Sequence, residues 1–240
     1  IINKNQKSKL IESIRFSVYE LEKQALSKIK RILPEGIYCI TSEELSNGRS
    51  NIHVAGEMLK SGIKIIQYRE KEERKSRKDM LEECRKIRKM ASDAGALFIV
   101  NDYLDIALLS DADGIHCGQN DLSVQDIRKL NSGLMIGIST ESAEQMEKAV
   151  SEGADYIGIG PVFKTDTKKD AGAPLGLDQI KYAAENIKIP FVAIGGIKEH
   201  NIDQVLAAGA RHIAIISDIT GAENIREKIH SINRIIEKYN

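Results

Sequence analysis

The stretch LMIGISTESAEQMEKAVSEGADYIGI, residues 134–159, holds two short apolar runs separated by a polar segment. The runs 134–138 and 155–159 are short and rich in Ile, which predicts buried strands. Between them, apolar residues of 143–152 recur at helical spacing, which predicts an amphipathic helix. Strands that are apolar throughout and joined by a helix are typical of a parallel sheet covered on both faces. The stretch therefore predicts one βαβ unit.

The same unit recurs along the chain. Short apolar runs occur at GIYCI (36–40), IKIIQY (63–68), LFIV (97–100), GIHC (114–117), LMIGI (134–138), DYIGI (155–159), PFVAI (190–194) and HIAII (212–216). Similar helix-to-strand junctions stand at SDADGI (110–115), SEGADYI (151–157) and AAGARHI (207–213). Eight strands, each followed by a helical segment, predict an α/β protein built as a single (β/α)₈ TIM barrel rather than an open doubly wound sheet.

An additional amphipathic helix is predicted before the barrel, over residues 8–33. Its apolar positions, spaced by three and four, are Ile11, Ile14, Val18, Leu21, Ala25 and Ile29. Pro34 and Gly36 end it. We therefore divide the chain into an N-terminal helical extension, residues 1–35, and a catalytic (β/α)₈ domain, residues 36–240. We expect the helix to pack on the barrel or on a partner chain. A homo-oligomer is one possible arrangement.

The composition excludes several classes of protein. Over 240 residues, 35 Lys and Arg balance 35 Asp and Glu, which argues against a broad nucleic-acid surface. The apolar runs are far shorter than the ~20 residues that span a bilayer, and the first ten residues lack the pattern of a signal peptide. Cys39, Cys84 and Cys117 are far apart in the sequence and are not in metal-ligand spacing. We therefore interpret them as core residues of a protein in a reducing compartment. We expect a cytoplasmic protein with neither nucleic-acid nor membrane partners.

In such barrels the active site lies at the carboxyl ends of the strands. After the second strand come Gln67, Arg69 and Lys71, which the alternation of a strand puts on one side. Two cations and an amide at one strand end suit a polyanion such as pyrophosphate. The alternative is that Lys71 only belongs to the solvated charged run 70–79.

Carboxylates follow the third and fourth strands. Asp102 comes directly after Asn101, and Asp121 lies shortly after the fourth strand. Two carboxylates at neighbouring strand ends fit Mg²⁺ held jointly with substrate phosphates. Helix capping is the alternative for each of them. His116 is a further candidate, although a single histidine at a strand end is more often structural.

Hydroxyl groups and ammonium groups follow the fifth and sixth strands. Ser139 ends the fifth strand, and the long segment 158–176 offers Thr165, Thr167 and Lys168. Long loops in compact domains are often functional clamps. The alternative is a flexible, solvated loop.

Glycines and a serine follow the last two strands. Gly195 and Gly196 come after the seventh strand and Ser217 after the eighth. Barrel phosphate sites are often formed by these two loops, and glycine lets backbone N–H groups approach a phosphate closely. A tight turn would also need glycine. A cationic site with a metal and a second, neutral phosphate site favour group transfer from a pyrophosphate over isomerisation.

Several motifs now stand in a fixed order: QYREK (67–71), VND (100–102), GIHCGQND (114–121), IGIS (136–139), DYIGIGPVFKTDTKKD (155–170), PFVAIGGI (190–197) and ISDI (216–219). With them, the chain from Gly36 to Ile219 resembles thiamine-phosphate synthase. The resemblance implies a (β/α)₈ fold. It also implies a transferase that joins 4-amino-5-hydroxymethyl-2-methylpyrimidine diphosphate to hydroxyethyl-methylthiazole phosphate, giving thiamine phosphate and pyrophosphate.

The resemblance also implies residue roles. The pyrimidine-diphosphate site would comprise Gln67, Tyr68, Arg69, Glu70, Lys71, Asn101, Ser139 and Lys168. The thiazole-phosphate site would comprise Thr165, Asp166, Thr167, Gly196, Ile216 and Ser217. Mg²⁺ would be the cofactor, held by Asp102 and Asp121. Arg69, Lys71 and Lys168 would be catalytic, because they neutralise the pyrophosphate that leaves before the thiazole nitrogen attacks.

The chain departs from the family at Glu141, where the family often has His, and we leave this residue out of the site. Two other functions stay open. A thiazole tautomerase, an isomerase on the same fold, lacks most of the pyrophosphate apparatus that this chain carries. A non-catalytic phosphate-ligand-binding protein would have no need of the carboxylates Asp102 and Asp121.

Overall fold

Eight parallel strands form a closed barrel in a computed structural model that describes residues 7, 9–15, 17–18, 21, 32–131, 133–165, 167 and 172–239. The strands are β1 (Gly36–Ile40), β2 (Ile65–Tyr68), β3 (Leu97–Asn101), β4 (Gly114–Cys117), β5 (Met135–Thr140), β6 (Tyr156–Ile159), β7 (Phe191–Ile194) and β8 (His212–Ile215). Each strand pairs with the next, and β8 returns to β1 through the pairs Gly36–His212 and Cys39–Ile215. The predicted (β/α)₈ barrel is confirmed.

Helices connect the strands and cover the outside of the barrel. Residues 9–15, which precede the barrel, are helical and are labelled α1. The helices that follow are α2 (Asn51–Lys60), α3 (Arg77–Asp93), α4 (Leu104–Leu109), α5 (Val124–Leu130), α6 (Ala143–Ser151), α7 (Asp178–Asn186), α8 (Ile202–Ala207), α9 (Ser217–Thr220) and α10 (Ile225–Ile236). Short 3₁₀ turns lie at Glu43–Leu45 and Glu237–Tyr239.

Serine side chains determine where four of these helices begin. The residues are Ser50, Ser76, Ser123 and Ser142, and each hydroxyl oxygen accepts a hydrogen bond from the backbone N–H three residues later. Such a cap satisfies one of the N–H groups that a helix leaves without a partner. Local sequence therefore fixes the starts of α2, α3, α5 and α6.

Apolar side chains fill the barrel below its carboxyl-terminal end. One set of alternate strand residues packs against the helices, and the other set points inward. The inward cluster comprises Leu33, Tyr38, Ile40, Ile65, Ile99, Met135, Tyr156, Val192 and Ala214. The bottom of the barrel is therefore packed, which leaves its other end for a site.

The predicted end of the N-terminal helix is corrected. The predicted helix reached Leu33, but Ile32 and Leu33 are not helical, as expected for a residue that precedes Pro34. Leu33 is instead only 3% exposed and closes the inward cluster. Along the described part of α1, Ile11 and Ile14 are 51% and 54% exposed, so this face does not pack on the barrel. No helix within the described ranges has the length and apolarity needed to cross a membrane.

Candidate active site

A cavity of about 390 Å³ opens at the carboxyl-terminal end of the barrel. Side chains from all eight strands contribute to its wall. The predicted site residues that line it are Gln67, Arg69, Lys71, Asn101, Asp102, Asp121, Ser139, Thr165, Thr167, Gly196, Ile216 and Ser217. Residues far apart in the chain thus meet in one place, because the carboxyl ends of parallel strands lie at the same end of a barrel.

Tyr68 and Glu70 do not line the cavity, unlike the alternate residues Gln67, Arg69 and Lys71. The Tyr68 hydroxyl donates to Glu83 Oε2 on α3 at 2.7 Å. Successive strand residues point to opposite faces, so the Tyr68 and Glu70 side chains contact the helix layer, and the substrate-binding roles of these two residues stay predictions.

Glu70 supports the cavity wall from the side of the helices. The residue is only 5% exposed. Its Oε2 accepts a hydrogen bond of 2.9 Å from Asn51 Nδ2 at the start of α2, and its Oε1 accepts one of 3.2 Å from the backbone N–H of Lys71. The carboxylate therefore fixes the turn after β2 that presents Lys71 to the cavity.

Asp102 follows β3 directly, and Asp121 lies shortly after β4, the neighbouring strand. Asp102 has a left-handed backbone with φ 63°, and its N–H donates to the His116 carbonyl of β4 at 2.9 Å. Asp121 Oδ2 accepts from the Gly118 N–H at 2.7 Å. Burial, together with the negative charges of Asp121 and Asp102, raises the pKa of Cys117 to about 12. Both carboxylates therefore act on the same end of β4.

Helix capping does not account for these aspartates. The residue at the cap of α4 is Tyr103, and the residue at the cap of α5 is Ser123. Within the described ranges, no group of three or more His, Cys, Asp or Glu residues is placed so that it could hold a metal ion by itself. Two carboxylates nevertheless suit Mg²⁺, which prefers oxygen ligands and takes the rest of its shell from water and substrate phosphates.

The opposite wall of the cavity is built on glycine. Gly195 and Gly196 have φ of 98° and 66°, which glycine adopts without strain. A Cβ on Gly196 would lie 2.5 Å from the Lys164 carbonyl oxygen. The Phe163 N–H donates to the Gly195 carbonyl at 3.0 Å. The β7 turn and the segment after β6 can therefore pack together only when these positions carry no side chain.

Two predicted residues of the segment after β6, Asp166 and Lys168, lie outside the described residues. Their neighbours Thr165 and Thr167 line the cavity. The Thr167 N–H donates to Thr165 Oγ1 at 3.2 Å, so these two residues contact each other directly.

Sequence reasoning missed two tyrosines at the floor of the cavity. Tyr38 of β1 and Tyr156 of β6 line it together with His116, and the two tyrosine hydroxyls are 2.8 Å apart. Burial lowers the pKa of His116 to about 4, so the ring is neutral. Both tyrosines occupy inward-facing positions of their strands. The alternation of side chains along a strand could have identified them from the sequence. Glu141, which the prediction left out, also borders the cavity.

Known proteins resemble the chain in sequence and in structure. A profile of the family described as thiamine monophosphate synthase matches residues 37–219. The chain is 50% identical over 213 residues to the thiamine-phosphate synthase of Caldicellulosiruptor bescii, covering 88% of this chain and 96% of that protein. It is 50% identical over 208 residues to the thiamine-phosphate synthase of Pelotomaculum thermopropionicum, covering 86% and 94%.

Among solved structures, the thiamine phosphate pyrophosphorylase from Pyrococcus furiosus superposes with a TM-score of 0.78 at 35% identity, covering 85% of this chain and 96% of that one. The profile match spans well over half of the chain, and the alignments with these relatives cover 85% to 88% of it. The chain belongs to the thiamine monophosphate synthase family.

Proposed function

We propose that this chain joins 4-amino-5-hydroxymethyl-2-methylpyrimidine diphosphate to hydroxyethyl-methylthiazole phosphate, releasing thiamine phosphate and pyrophosphate. One observation carries the proposal: a single cavity has cations and carboxylates on the side of β2 to β4 and glycines and hydroxyls on the side of β6 to β8. Two phosphorylated substrates need two such anion sites close together. The names of the family and of its relatives agree with this reaction.

The cationic side suits the diphosphate. Arg69 and Lys71 project into the cavity from alternate positions, and Arg can bind two phosphate oxygens at once. Lys168 would add a third positive charge from the segment after β6. The thiazole phosphate would then take the side of Gly196 and Ser217, where backbone N–H groups and hydroxyls can hold a phosphate without a strong positive charge.

Mg²⁺ is the cofactor that this arrangement suits. Asp102 and Asp121, which line the same cavity as Arg69 and Lys71, would hold it. When bound, the ion supplies positive charge to the departing pyrophosphate.

The reaction needs charge stabilisation and alignment more than it needs a base. The bond from the pyrimidine methylene carbon to the diphosphate oxygen breaks, and its electron pair leaves with pyrophosphate. The lone pair of the thiazole nitrogen then forms the new carbon–nitrogen bond, and no proton moves. A neutral His116, with a pKa of about 4, fits this scheme. The cations stabilise the leaving group, and the cavity holds the two rings in line.

The test is a direct assay with both substrates and Mg²⁺, in which pyrophosphate and thiamine phosphate are measured together. We expect equal amounts of the two products, and none when either substrate or the metal is withheld. Isomerisation of the thiazole phosphate without pyrophosphate would identify a tautomerase instead. Binding of both substrates without any turnover would identify a phosphate-ligand-binding protein.

A further inference from the structure

A continuous chain of hydrogen bonds crosses the floor of the cavity from β2 to β5. Gln67 Nε2 donates to the Tyr38 hydroxyl at 2.9 Å, which lies 2.8 Å from the Tyr156 hydroxyl. The Tyr156 hydroxyl is 3.1 Å from His116 Nδ1, and His116 Nε2 is 2.9 Å from Ser139 Oγ. We call these five residues the floor relay. Both of its ends, Gln67 and Ser139, border the cavity.

The relay has one direction, and the amide nitrogen sets it. An amide N–H₂ group can only donate, so the Tyr38 oxygen accepts from Gln67 and its own hydrogen turns to Tyr156. Burial raises the pKa of both tyrosines, so each keeps a hydroxyl hydrogen. Tyr156 must then donate to His116 Nδ1. The neutral ring carries its proton on Nε2 and donates it to Ser139 Oγ.

The opposite direction would leave a conflict in the core. The hydroxyl hydrogen of Tyr38 would face the N–H₂ group of Gln67, although Tyr38 is only 2% exposed. A buried donor without an acceptor is costly. The rings also have little freedom to turn, because Tyr156 lies over Gly137 and the His116 ring lies against Gly158.

We propose that Tyr38, Tyr156 and His116 are positioning residues, which keep Ser139 Oγ an acceptor from His116 and so direct the Ser139 hydrogen into the cavity. The proposal deepens the proposed function, on which its catalytic meaning rests. A hydroxyl that already receives a hydrogen bond must use its own hydrogen elsewhere. An oxygen of the bound diphosphate is an acceptor of the right kind, and its negative charge grows as it leaves.

The Gln67 amide therefore determines the direction of every hydrogen bond in the floor relay. In Gln67→Glu the side chain has nearly the same shape, but at pH 8 its carboxylate can only accept. Tyr38 would then donate to residue 67, each later bond would reverse, and His116 would carry its proton on Nδ1. Ser139 would donate to His116 Nε2 and lose its hydrogen bond to the substrate.

The first experiment is ¹⁵N NMR of the histidine rings in the unliganded protein at pH 8, with His116→Asn used to assign the signal. We expect at least about 90% of the Nε2–H tautomer in the unmodified protein and the Nδ1–H tautomer in Gln67→Glu. The matched control is the double variant Tyr38→Phe/Gln67→Glu, which cuts the relay and should keep Nε2–H. An Nδ1–H tautomer in the unmodified protein, or no change in Gln67→Glu, would overturn the proposal.

The second experiment separates positioning from packing. Tyr156→Phe keeps the ring over Gly137 but removes the hydroxyl. We expect kcat to fall about tenfold, the size of one lost hydrogen bond, while KM for the thiazole phosphate stays unchanged. The Tm should fall as well, because Tyr38 and His116 lose a buried hydrogen-bond partner. A fall in Tm with unchanged kcat would reduce Tyr156 to a packing role. Because the NMR experiment needs no substrate, a failure of the proposed function would leave the tautomer result intact.

Discussion

Asp102 shows how one strained residue can serve a site. Its φ of 63° lies in the left-handed region, which costs a residue other than glycine on the order of 1 kcal/mol or more. Asp tolerates this region better than most residues do. The conformation turns the chain at the end of β3 so that the Asp102 N–H reaches the carbonyl of His116. The carboxylate then borders the cavity.

We predict that Asp102→Asn lowers turnover at least about 100-fold, the effect of removing a charge-stabilising group. Asn adopts the same left-handed backbone, so the Tm should hardly change. Turnover is measured by pyrophosphate release over a Mg²⁺ titration. The matched control is Asp111→Asn, because Asp111 has a φ of 52° and does not line the cavity. Similar turnover in both variants would contradict the assigned role of Asp102.

The buried histidine gives a prediction about pH. The pKa of His116 is about 4 in the folded protein and about 6.5 in an unfolded chain. Between pH 6.5 and pH 4, His116 is protonated in the unfolded state but stays neutral in the folded state. Protons therefore favour the unfolded state, and the free energy of unfolding falls as the pH drops through this range.

In His116→Asn this fall between pH 7 and pH 4 should be smaller by about 3 kcal/mol, since each tenfold difference in proton affinity corresponds to about 1.4 kcal/mol. Burial also lowers the pKa of His212, but that contribution is present in both proteins and cancels. Urea denaturation at pH 7, 6, 5 and 4 measures the difference. Parallel curves for the two proteins would show that His116 is not a buried neutral ring.

Among the elements, the strands determine which side chains can share the cavity. Alternation along β2 separates Gln67 and Arg69 from Tyr68. On β5, Gly137 leaves the space that the Tyr156 ring of β6 fills. A Cβ at position 137 would lie 2.1 Å from Cζ of that ring. The absence of a side chain on one strand therefore positions a hydroxyl carried by the next.

We predict that Gly137→Ala lowers the free energy of unfolding by at least about 2 kcal/mol, because the ring is fully buried and cannot move aside cheaply. Turnover should fall as well, since Tyr156 leaves the floor relay. Gly56→Ala in α2 is the matched control. There the added Cβ meets only the flexible end of Met90 at 3.1 Å, and helix propensity favours Ala by about 1 kcal/mol. Chemical denaturation compares the two; equal effects would contradict this account of β5.

At the scale of the whole molecule, the barrel and the N-terminal segment contribute differently. The formal net charge is zero, yet the cavity gathers Arg69 and Lys71 beside Asp102 and Asp121. The charges that matter are therefore local. Leu33 belongs to the inward cluster of the barrel, whereas Leu10 and Ile14 are 51% and 54% exposed.

We predict that deleting residues 1–31 leaves turnover within about twofold, the usual range for changes remote from buried contacts. The cavity is lined by residues between Tyr38 and Ser217. By contrast, Leu33→Ala in the full chain should cost about 3 kcal/mol, as expected for truncating a buried leucine. Turnover and thermal unfolding of both proteins check this. A large loss of turnover in the deletion would assign α1 a part in the active site.

The sequence alone determined the eight-stranded barrel and twelve of the residues that line the cavity. Apolar runs, helical periodicity and the rule that barrel sites lie at strand carboxyl ends are local signals, and they sufficed for Arg69, Asp102 and Ser217. Only the tertiary structure decided that Leu33 joins the inward cluster, and that two tyrosines and His116 connect Gln67 to Ser139. These facts depend on how strands distant in sequence align when the barrel closes, and no single segment contains that information.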